Sequence, residues 1–324
     1  MRTLLLAVVS LFAFNAVAAD PVTFKIGTAV PRESPWGVVL RAWGKAVKEK
    51  TNGEVALEFF WNGTQGDEAA QMAKLKVGQL DGAVVTAVGL GVIDPNVNIL
   101  QLPGLFANWE QLDQARDAMT PVFEKKFQES KLALVGWGDV GLDRLMSNGY
   151  AVQKPSDLKG KRAWVWREDP VLPTLFQQGE SVSVPTSLPE VIPELSTGNV
   201  TVLSVSAIAA EQLQWASRLD HVTQFIVAPN IGGLVLSQTK LDSLSPANKQ
   251  VMLDTGKNAG KALTDRIRGE DAKAFERLSA KMTVVKASDE DLKAWKAFFA
   301  ATRARLAKGT FDAKLIGQAE QFAK

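Results

Sequence analysis

Strand-like and helix-like apolar patterns alternate along the first third of the chain. Residues 23–29 alternate β-branched and aromatic side chains with other residues, which predicts a strand. The Ser34-Pro35 pair that follows is typical of a helix start, with serine as the N-cap and proline at the first helical position, and it predicts a helix to about Lys50. The same order continues with a strand at 54–61, a helix at 67–77 and a strand at 80–87. Strands that alternate with helices predict right-handed βαβ units and a parallel sheet, hence an α/β fold.

A similar pattern restarts in the second half of the chain. The short apolar segments 132–137 and 162–166 predict two strands, and we expect a second sheet to begin with them. The Ser187 to Glu190 segment fits a helix capping box, and Gly198 fits the end of that helix. The later predicted elements are strands at 200–205 and 231–238, a long helix from about 247 to 281 after Ser245-Pro246, a helix start at Ser288 and a final helix at 311–323.

The first nineteen residues are predicted to be an export signal. Arg2 gives a positive start, and residues 4–14 form an apolar run that is shorter than the ~20 residues of a membrane span. We expect cleavage after Ala19, and the junction has no cysteine that could carry a lipid. The mature chain is therefore expected to be a soluble, non-lipidated periplasmic protein.

Composition narrows the function classes. The length of 324 residues suggests two domains at about 150 residues each. The 37 lysines and arginines nearly balance the 35 acidic residues, so the charge does not favour nucleic acid or an anionic membrane as a partner. The chain has no cysteine and one histidine, which excludes a thiol nucleophile, a disulfide framework and the usual zinc ligand sets. We expect no metal and no cofactor.

A search for catalytic motifs finds none. His221 follows Asp220, but no serine elbow accompanies it, which favours a surface or structural histidine. The Gly89-Leu-Gly91 segment lacks the third glycine of a dinucleotide fingerprint. Neighbouring carboxylates such as Asp67 and Glu68 need only solvated or capping positions. The sequence therefore does not indicate an enzyme.

Tryptophan is unusually frequent, with nine residues against one tyrosine. Trp61, Trp137, Trp164 and Trp166 fall at predicted strand ends, where ligands bind in open α/β sheets. Trp164 and Trp166 share one face of a strand, because successive side chains alternate. They are therefore a joint feature either of the core or of a ligand cleft.

Seven short segments along the mature chain carry a joint resemblance. They are 26–36 (IGTAVPRESPW), 50–53 (KTNG), 63–68 (GTQGDE), 77–81 (VGQLD), 102–106 (LPGLF), 155–161 (PSDLKGK) and 244–246 (LSP). Each motif alone is weak, but together and in this order they resemble the extracytoplasmic solute-binding proteins of TRAP transporters (DctP type).

The resemblance implies a two-domain periplasmic binding protein with crossing strands and a central cleft. It also implies no catalysis, a monomer, and delivery of one small solute to TRAP-type membrane permease subunits. The organisation expected on this basis is domain I at 20–140 plus 230–255, domain II at 141–229, a helix at 245–281 spanning both domains, and C-terminal helices at 288–324.

Four positions depart from the pattern that the resemblance implies. The arginine that clamps a carboxylate in the family corresponds to Trp164, and the family's asparagine and proline correspond to Val205 and Ser206. A first-domain proline corresponds to Trp61. A second family arginine lies near Asp143-Arg144, where a one-residue ambiguity decides whether it is kept.

At Trp164, Val205 and Trp61 an apolar side chain stands where the family has arginine, asparagine and proline. We therefore expect an apolar or aromatic solute. The predicted contacts are Trp164, Trp166, Trp61, Trp36 and Trp137, with Ser204, Ser206 and Thr86 as polar anchors. Two alternatives stay open. One is an organic-acid binder whose clamp has moved to Arg144 or Arg167; the other is an interaction protein that docks a partner lipoprotein or a lipid-handling system.

Overall fold

The structure is a computed structural model that describes residues 20–323. The predicted signal peptide lies outside these residues. Within them the strands are β1 Val22–Thr28, β2 Val55–Phe60, β3 Gly82–Thr86, β4 Leu132–Ser147, β5 Arg162–Trp166, β6 Val182–Thr186, β7 Val202–Ser206, β8 His221–Thr223, β9 Ala228–Ser237 and β10 Thr283–Val285. The α-helices are α1 Pro35–Lys50, α2 Glu68–Lys76, α3 Ala87–Gly91, α4 Trp109–Glu129, α5 Leu172–Gln178, α6 Val191–Ser196, α7 Ala207–Gln212, α8 Gln238–Asp242, α9 Pro246–Ser279, α10 Asp289–Leu306 and α11 Ala313–Glu320.

All of these strands are hydrogen-bonded into one mixed sheet, with helices on its faces. The main order is β2-β1-β3-β9-β4-β7-β5-β6, and β8 joins β10 to the end of β4. Strands β1, β2 and β3 run parallel, as do β5, β6 and β7, while β9 runs antiparallel to both β3 and β4. The predicted α/β class is confirmed. The expected separate second sheet is corrected, because β4 is long enough to belong to both halves of one sheet.

Strand β4 changes partner along its length. Its first part pairs with β9, its last part pairs with β7, and the backbone of Asp143 is opposite both Ser206 and Ala228. The register shifts between Asp139 and Gly141, where Gly141 has a φ of +133°. A Cβ at Gly141 would lie 2.6 Å from the Cβ of Ser206, so only glycine fits this crossing.

Helix α9 is the long helix that the sequence predicted, and it lies across β4. Ser245 caps it by accepting a hydrogen bond from the amide of Asn248. The approach to β4 is close because the helix presents glycines there: a Cβ at Gly260 would lie 2.3 Å from the carbonyl oxygen of Trp137. No helix in residues 20–323 is both long and apolar enough to cross a bilayer.

Local signals located most elements to within a few residues. Ser34 caps α1, and Ser288 forms the predicted capping box with Asp291 at the start of α10. Helix α4 was not predicted, since Pro121 lies inside it and a proline usually marks a helix boundary. Strand β6 was also missed.

Candidate functional site

A cavity of about 160 Å³ lies at the crossing of β4 with its neighbours, and residues from both halves of the sheet line it. Thr28, Thr86 and Trp166 reach it from the last positions of β1, β3 and β5, the carboxyl ends where α/β sheets bind ligands. A buried cavity of about 150 Å³ in another protein holds benzene, so this one has room for a small organic solute.

One wall of the cavity is aromatic. The ring centroids of Trp164 and Trp166 lie 6.3 Å apart, and Trp215 meets Trp164 edge to face at 5.1 Å. Trp36 also lines the cavity and donates its indole N–H to the carbonyl oxygen of Asp139 at 3.2 Å. All four indoles are buried, and they also belong to one core cluster. Trp164 and Trp166 therefore belong both to the core and to the cavity wall, the two roles that the sequence left open.

Four buried polar atoms of cavity-lining residues have no hydrogen-bond partner within the described residues. Two can donate, the indole Nε1 of Trp164, a residue 4% exposed, and the hydroxyl of Ser204, a residue 3% exposed. The other two are the amide oxygens of Gln101 and Asn230, which can only accept. An unsatisfied buried polar group costs about 1–3 kcal/mol, so a solute that pairs with these atoms would recover this energy.

Asp143 is a buried carboxyl group on the cavity wall. The amide nitrogen of Asn230 lies 3.3 Å from each of its oxygens. Burial raises the pKa of Asp143 to about 8, and the negative charges of Asp271 and Asp169 add to this, while the Asn230 hydrogen bond opposes it. Asp143 therefore takes up a proton more easily than an ordinary aspartate.

Two other buried carboxyl groups at the cavity are held by backbone amides. Glu68 accepts hydrogen bonds from the amides of Thr86 and Gly89 and from the Thr86 hydroxyl at 2.7–3.0 Å. Asp169 accepts from the amides of Val171 and Leu172 at 2.6 and 3.1 Å. Burial nevertheless raises the pKa of Glu68 to about 7 and that of Asp169 to about 6.

The fourth acidic residue at the cavity, Asp139, is fully paired. Its two oxygens accept hydrogen bonds of 2.6 Å from Arg116 and Arg268, which also bind Asp113. Because these guanidinium groups are engaged with carboxylates, the network is a structural clamp between α4, β4 and α9. Among the described lining residues every charged side chain is acidic.

Three of the predicted contacts lie away from the cavity and have other partners. Trp137 donates its indole N–H to Thr120 at 2.8 Å and packs against Phe123 of α4. Trp61 stacks on Phe59 at 4.9 Å. The Ser206 hydroxyl donates to the carbonyl oxygen of Val140 at 2.9 Å and also caps α7, so it is occupied by structure.

Neither candidate replacement arginine lines the cavity. The guanidinium of Arg144 lies 3.9 Å from the ring centre of Phe275 and donates to the carbonyl oxygen of Gln224. Arg167 has a side chain that is 59% exposed and lies 3.8 Å from Glu190. The alternation of β4 explains the first placement, because Asp143 and Arg144 project to opposite faces and Asp143 is the one at the cavity.

The cavity brings together five of the ten residues predicted for the site. These five are Trp36, Trp164, Trp166, Thr86 and Ser204. Thr86 donates its hydroxyl proton to Glu68, which leaves Ser204 as the unpaired hydroxyl. Sequence reasoning did not select Asp169, Trp215 or Asn230 for the site, and it considered Asp143 only as the neighbour of an arginine. Residues 20–323 hold no group of three or more potential metal ligands.

Comparisons with known proteins agree with this architecture. A family model described as "Bacterial extracellular solute-binding protein, family 7" (DctP) matches residues 26–309. A solute-binding protein of Verminephrobacter eiseniae is 24% identical over 291 residues, which cover 88% of this chain and 85% of that protein. The 2,3-diketo-L-gulonate-binding periplasmic protein of Escherichia coli is 20% identical over 261 residues, with 80% and 79% covered.

Solved structures show the same fold. A TRAP periplasmic solute-binding protein from Roseobacter denitrificans with bound β-D-glucuronate superposes with a TM-score of 0.85 at 16% identity, covering 92% of this chain and 99% of that chain. One from Ralstonia eutropha with bound (S)-2-acetolactate gives a TM-score of 0.86 at 19% identity, with 93% and 98% covered. The expected two-domain binding-protein fold is thereby confirmed.

Proposed function

We propose a specific role for this chain, which belongs to the bacterial extracellular solute-binding protein family 7 and is therefore a solute receptor rather than an enzyme. It captures one small organic solute in the cavity at the strand crossing and delivers it to the membrane subunits of a TRAP-type transport system. The observation that supports this proposal is the cavity of about 160 Å³, which is lined from both halves of the sheet and by buried polar atoms without a partner in the described residues. Periplasmic location after cleavage at Ala19 is part of the proposal.

The nature of the solute is the finer part of the proposal. The relatives and solved structures carry names of organic acids, including glucuronate, acetolactate and 2,3-diketo-L-gulonate, and they favour an acid over a purely apolar solute. In this chain no described lining residue is basic, so a carboxylate would have to be received by neutral donors. Trp164 Nε1 and the Ser204 hydroxyl are the donors available for it.

The tryptophan wall supports an apolar portion on the same solute. Four buried indoles line the cavity, so the gain comes from the apolar surface of the solute that leaves water, about 25 cal/mol per Å². A clamp moved to Arg144 or Arg167 has less support, since neither guanidinium reaches the lining. We therefore infer a solute with both an oxygen acceptor and an apolar surface.

Binding is proposed to close the two domains around the solute. Three elements connect the halves of the sheet: β4, β9 and the helix α9 that packs on β4. A solute that contacts lining residues from both halves binds the closed form better than the open form, and shifts the population toward it. The closed form is the shape that membrane subunits would recognise.

Native mass spectrometry of the purified mature protein, followed by denaturing extraction, tests the receptor function. We expect a small organic molecule that leaves the protein only on denaturation, and that shifts tryptophan emission when it is added back. The Trp164→Phe variant should bind it more weakly, whereas Trp61→Phe, outside the cavity, should not. If no molecule is released and no added solute changes emission or thermal stability, the interaction-protein alternative replaces this proposal.

A further inference from the structure

The four acidic side chains at the cavity differ in how far ion pairs and hydrogen bonds compensate their negative charge. Asp139 has two guanidinium partners, Glu68 accepts three hydrogen bonds and Asp169 accepts two from backbone amides. Asp143 has one partner, and its contacts with the Asn230 amide are 3.3 Å long. Charge-assisted hydrogen bonds are usually about 2.7–2.9 Å, so Asp143 is the least compensated of the four acidic groups.

The surroundings of Asp143 contain no cation that could neutralise it within the described cavity wall. Asp271 on α9 and Asp169 after β5 both face it with like charge. Arg144, its neighbour on β4, projects to the other face and lies over Phe275. Asp143 is therefore either protonated or, when it is ionised, in need of a positive charge from outside the protein.

The aromatic wall has the geometry that receives such a charge. The ring centroid of Trp164 lies 6.3 Å from that of Trp166 and 5.1 Å from that of Trp215, and all three residues line the same cavity as Asp143. Indole faces carry negative electrostatic potential and attract organic cations more strongly than other aromatic rings do. Buried indoles beside an uncompensated carboxylate are the combination that recognises ammonium groups.

A second, independent observation indicates an oxygen acceptor on the same solute. The Nε1 of Trp164 can only donate, and it has no partner in the described residues although Trp164 is 4% exposed. The Ser204 hydroxyl on β7 is likewise unpaired at 3% exposure. These two groups need a carboxylate, hydroxyl or carbonyl oxygen opposite them.

We propose that the cavity selects a small organic ammonium compound that also carries an oxygen acceptor, with the ammonium group between Asp143 and the tryptophan wall and the oxygen at Trp164 Nε1 and Ser204. This inference rests on the proposed receptor function and makes it more specific. It accounts for the absence of basic side chains from the described lining, since a guanidinium there would repel the solute. It also accommodates an acid, provided that the acid is zwitterionic.

Isosteric pairs of probes test the charge directly. Choline and neohexyl alcohol have the same shape and differ in a quaternary nitrogen against a carbon, and glycine betaine and tert-butylacetate differ in the same way. Phenethylammonium and phenylpropionate extend the comparison to an aromatic body. Thermal stability and tryptophan emission are measured with each probe at millimolar concentration. We expect at least one ammonium probe to bind at least about tenfold more tightly than its partner.

Two variants assign the effect to Asp143. Asp143→Asn keeps the shape and removes the charge, so it should weaken the ammonium probe by at least about tenfold, leave a neutral partner unchanged and not weaken an anionic partner. The matched control is Asp265→Asn, whose carboxylate pairs with exposed Lys261 on the surface of α9. In the wild type, ammonium affinity should rise with pH as Asp143 ionises, and this rise should be smaller in Asp143→Asn, where only Glu68 and Asp169 still titrate at the cavity.

The outcomes separate this inference from the receptor function. If glucuronate or another plain acid binds and no ammonium probe does, the receptor function stands and the ammonium class is wrong. The ammonium class is also wrong if each ammonium probe binds no more tightly than its partner without the ammonium group. If no compound of any class binds, both proposals fail.

Discussion

Arg268 of α9 and Asp139 of β4 form an ion pair in which the guanidinium Nε lies 2.6 Å from the carboxylate Oδ2. The other oxygen of Asp139 binds Arg116 of α4 at the same distance, and Asp139 itself is buried. This pair attaches the long helix to the strand that changes partners at the cavity. The carboxylate of Asp139 thus connects three elements at the point where the site is built.

Replacing Asp139 by asparagine should strongly destabilise the protein. The substitution leaves Arg116 and Arg268 without their buried partner, and such a loss costs about 3–5 kcal/mol. Urea denaturation of wild type and Asp139→Asn measures the difference. Asp242→Asn, which removes a partly exposed pair with Lys249, should cost less than about 1 kcal/mol. Equal losses in the two variants would contradict the clamp.

Replacing two glycines of α9 by alanine should change the stability of the protein in opposite directions. Alanine at Gly260 would place its Cβ 2.3 Å from a backbone oxygen of Trp137, and the resulting separation of α9 from β4 should cost about 3 kcal/mol or more. Gly269 in the same helix has open space around its Cβ position, so Gly269→Ala should stabilise by about 0.5–1 kcal/mol. Thermal or urea unfolding of both variants checks the signs, and a stabilising Gly260→Ala would show that the helix lies further from the strand.

Stability should fall as the pH rises from about 4 to about 8. The pKa values of Asp143, Glu68 and Asp169 are raised by burial to about 8, about 7 and about 6. In that window the native protein binds more protons than the unfolded chain, whose carboxyl groups have their ordinary pKa values, so rising pH favours unfolding. Urea denaturation of the solute-free protein at several pH values measures the slope. Asp143→Asn should give a flatter curve, and an unchanged slope would mean that Asp143 does not titrate in this range.

The Trp164→Phe variant separates the indole N–H from the aromatic surface. It keeps an aromatic ring and removes the unpaired donor, so solute affinity should fall about tenfold, the value of one hydrogen bond. Folding stability should change far less than in Trp164→Ala, which would lose about 3–5 kcal/mol of packing. Isothermal titration with the extracted solute and urea unfolding give the two quantities. Unchanged affinity in Trp164→Phe would place the solute away from Nε1.

Much of the fold could be predicted from the sequence because neighbouring residues determine where helices start and where short strands lie. Ser34 and Ser288 cap their helices as expected, and β5 has the predicted bounds. Helix α4 escaped prediction because of Pro121, and this had a consequence for the site: Trp137 packs against Phe123 of that unpredicted helix. Without the helix, the sequence could not decide between a core position and a ligand contact for Trp137.

Which polar side chains face the cavity depends on the strand register, and the sequence does not show this register. Whether Asp143 or Arg144 faces the cavity depends on the phase of β4, and an irregularity between Asp139 and Gly141 resets that phase. The tryptophans at 164 and 166 could be paired by simple alternation, because β5 is short and regular. Their contact with Trp215 joins distant parts of the chain and could not be inferred.

The position of β9 between β3 and β4 also governs how the protein is made. Strands β3 and β4 are synthesised before β9, and each lacks a neighbour on that side until Ala228–Ser237 has been translated. Exposed strand edges pair readily with other chains, so a polypeptide that stops before this point is prone to aggregate. Assembly of the central sheet therefore has to wait until β9, in the last third of the chain, has been synthesised.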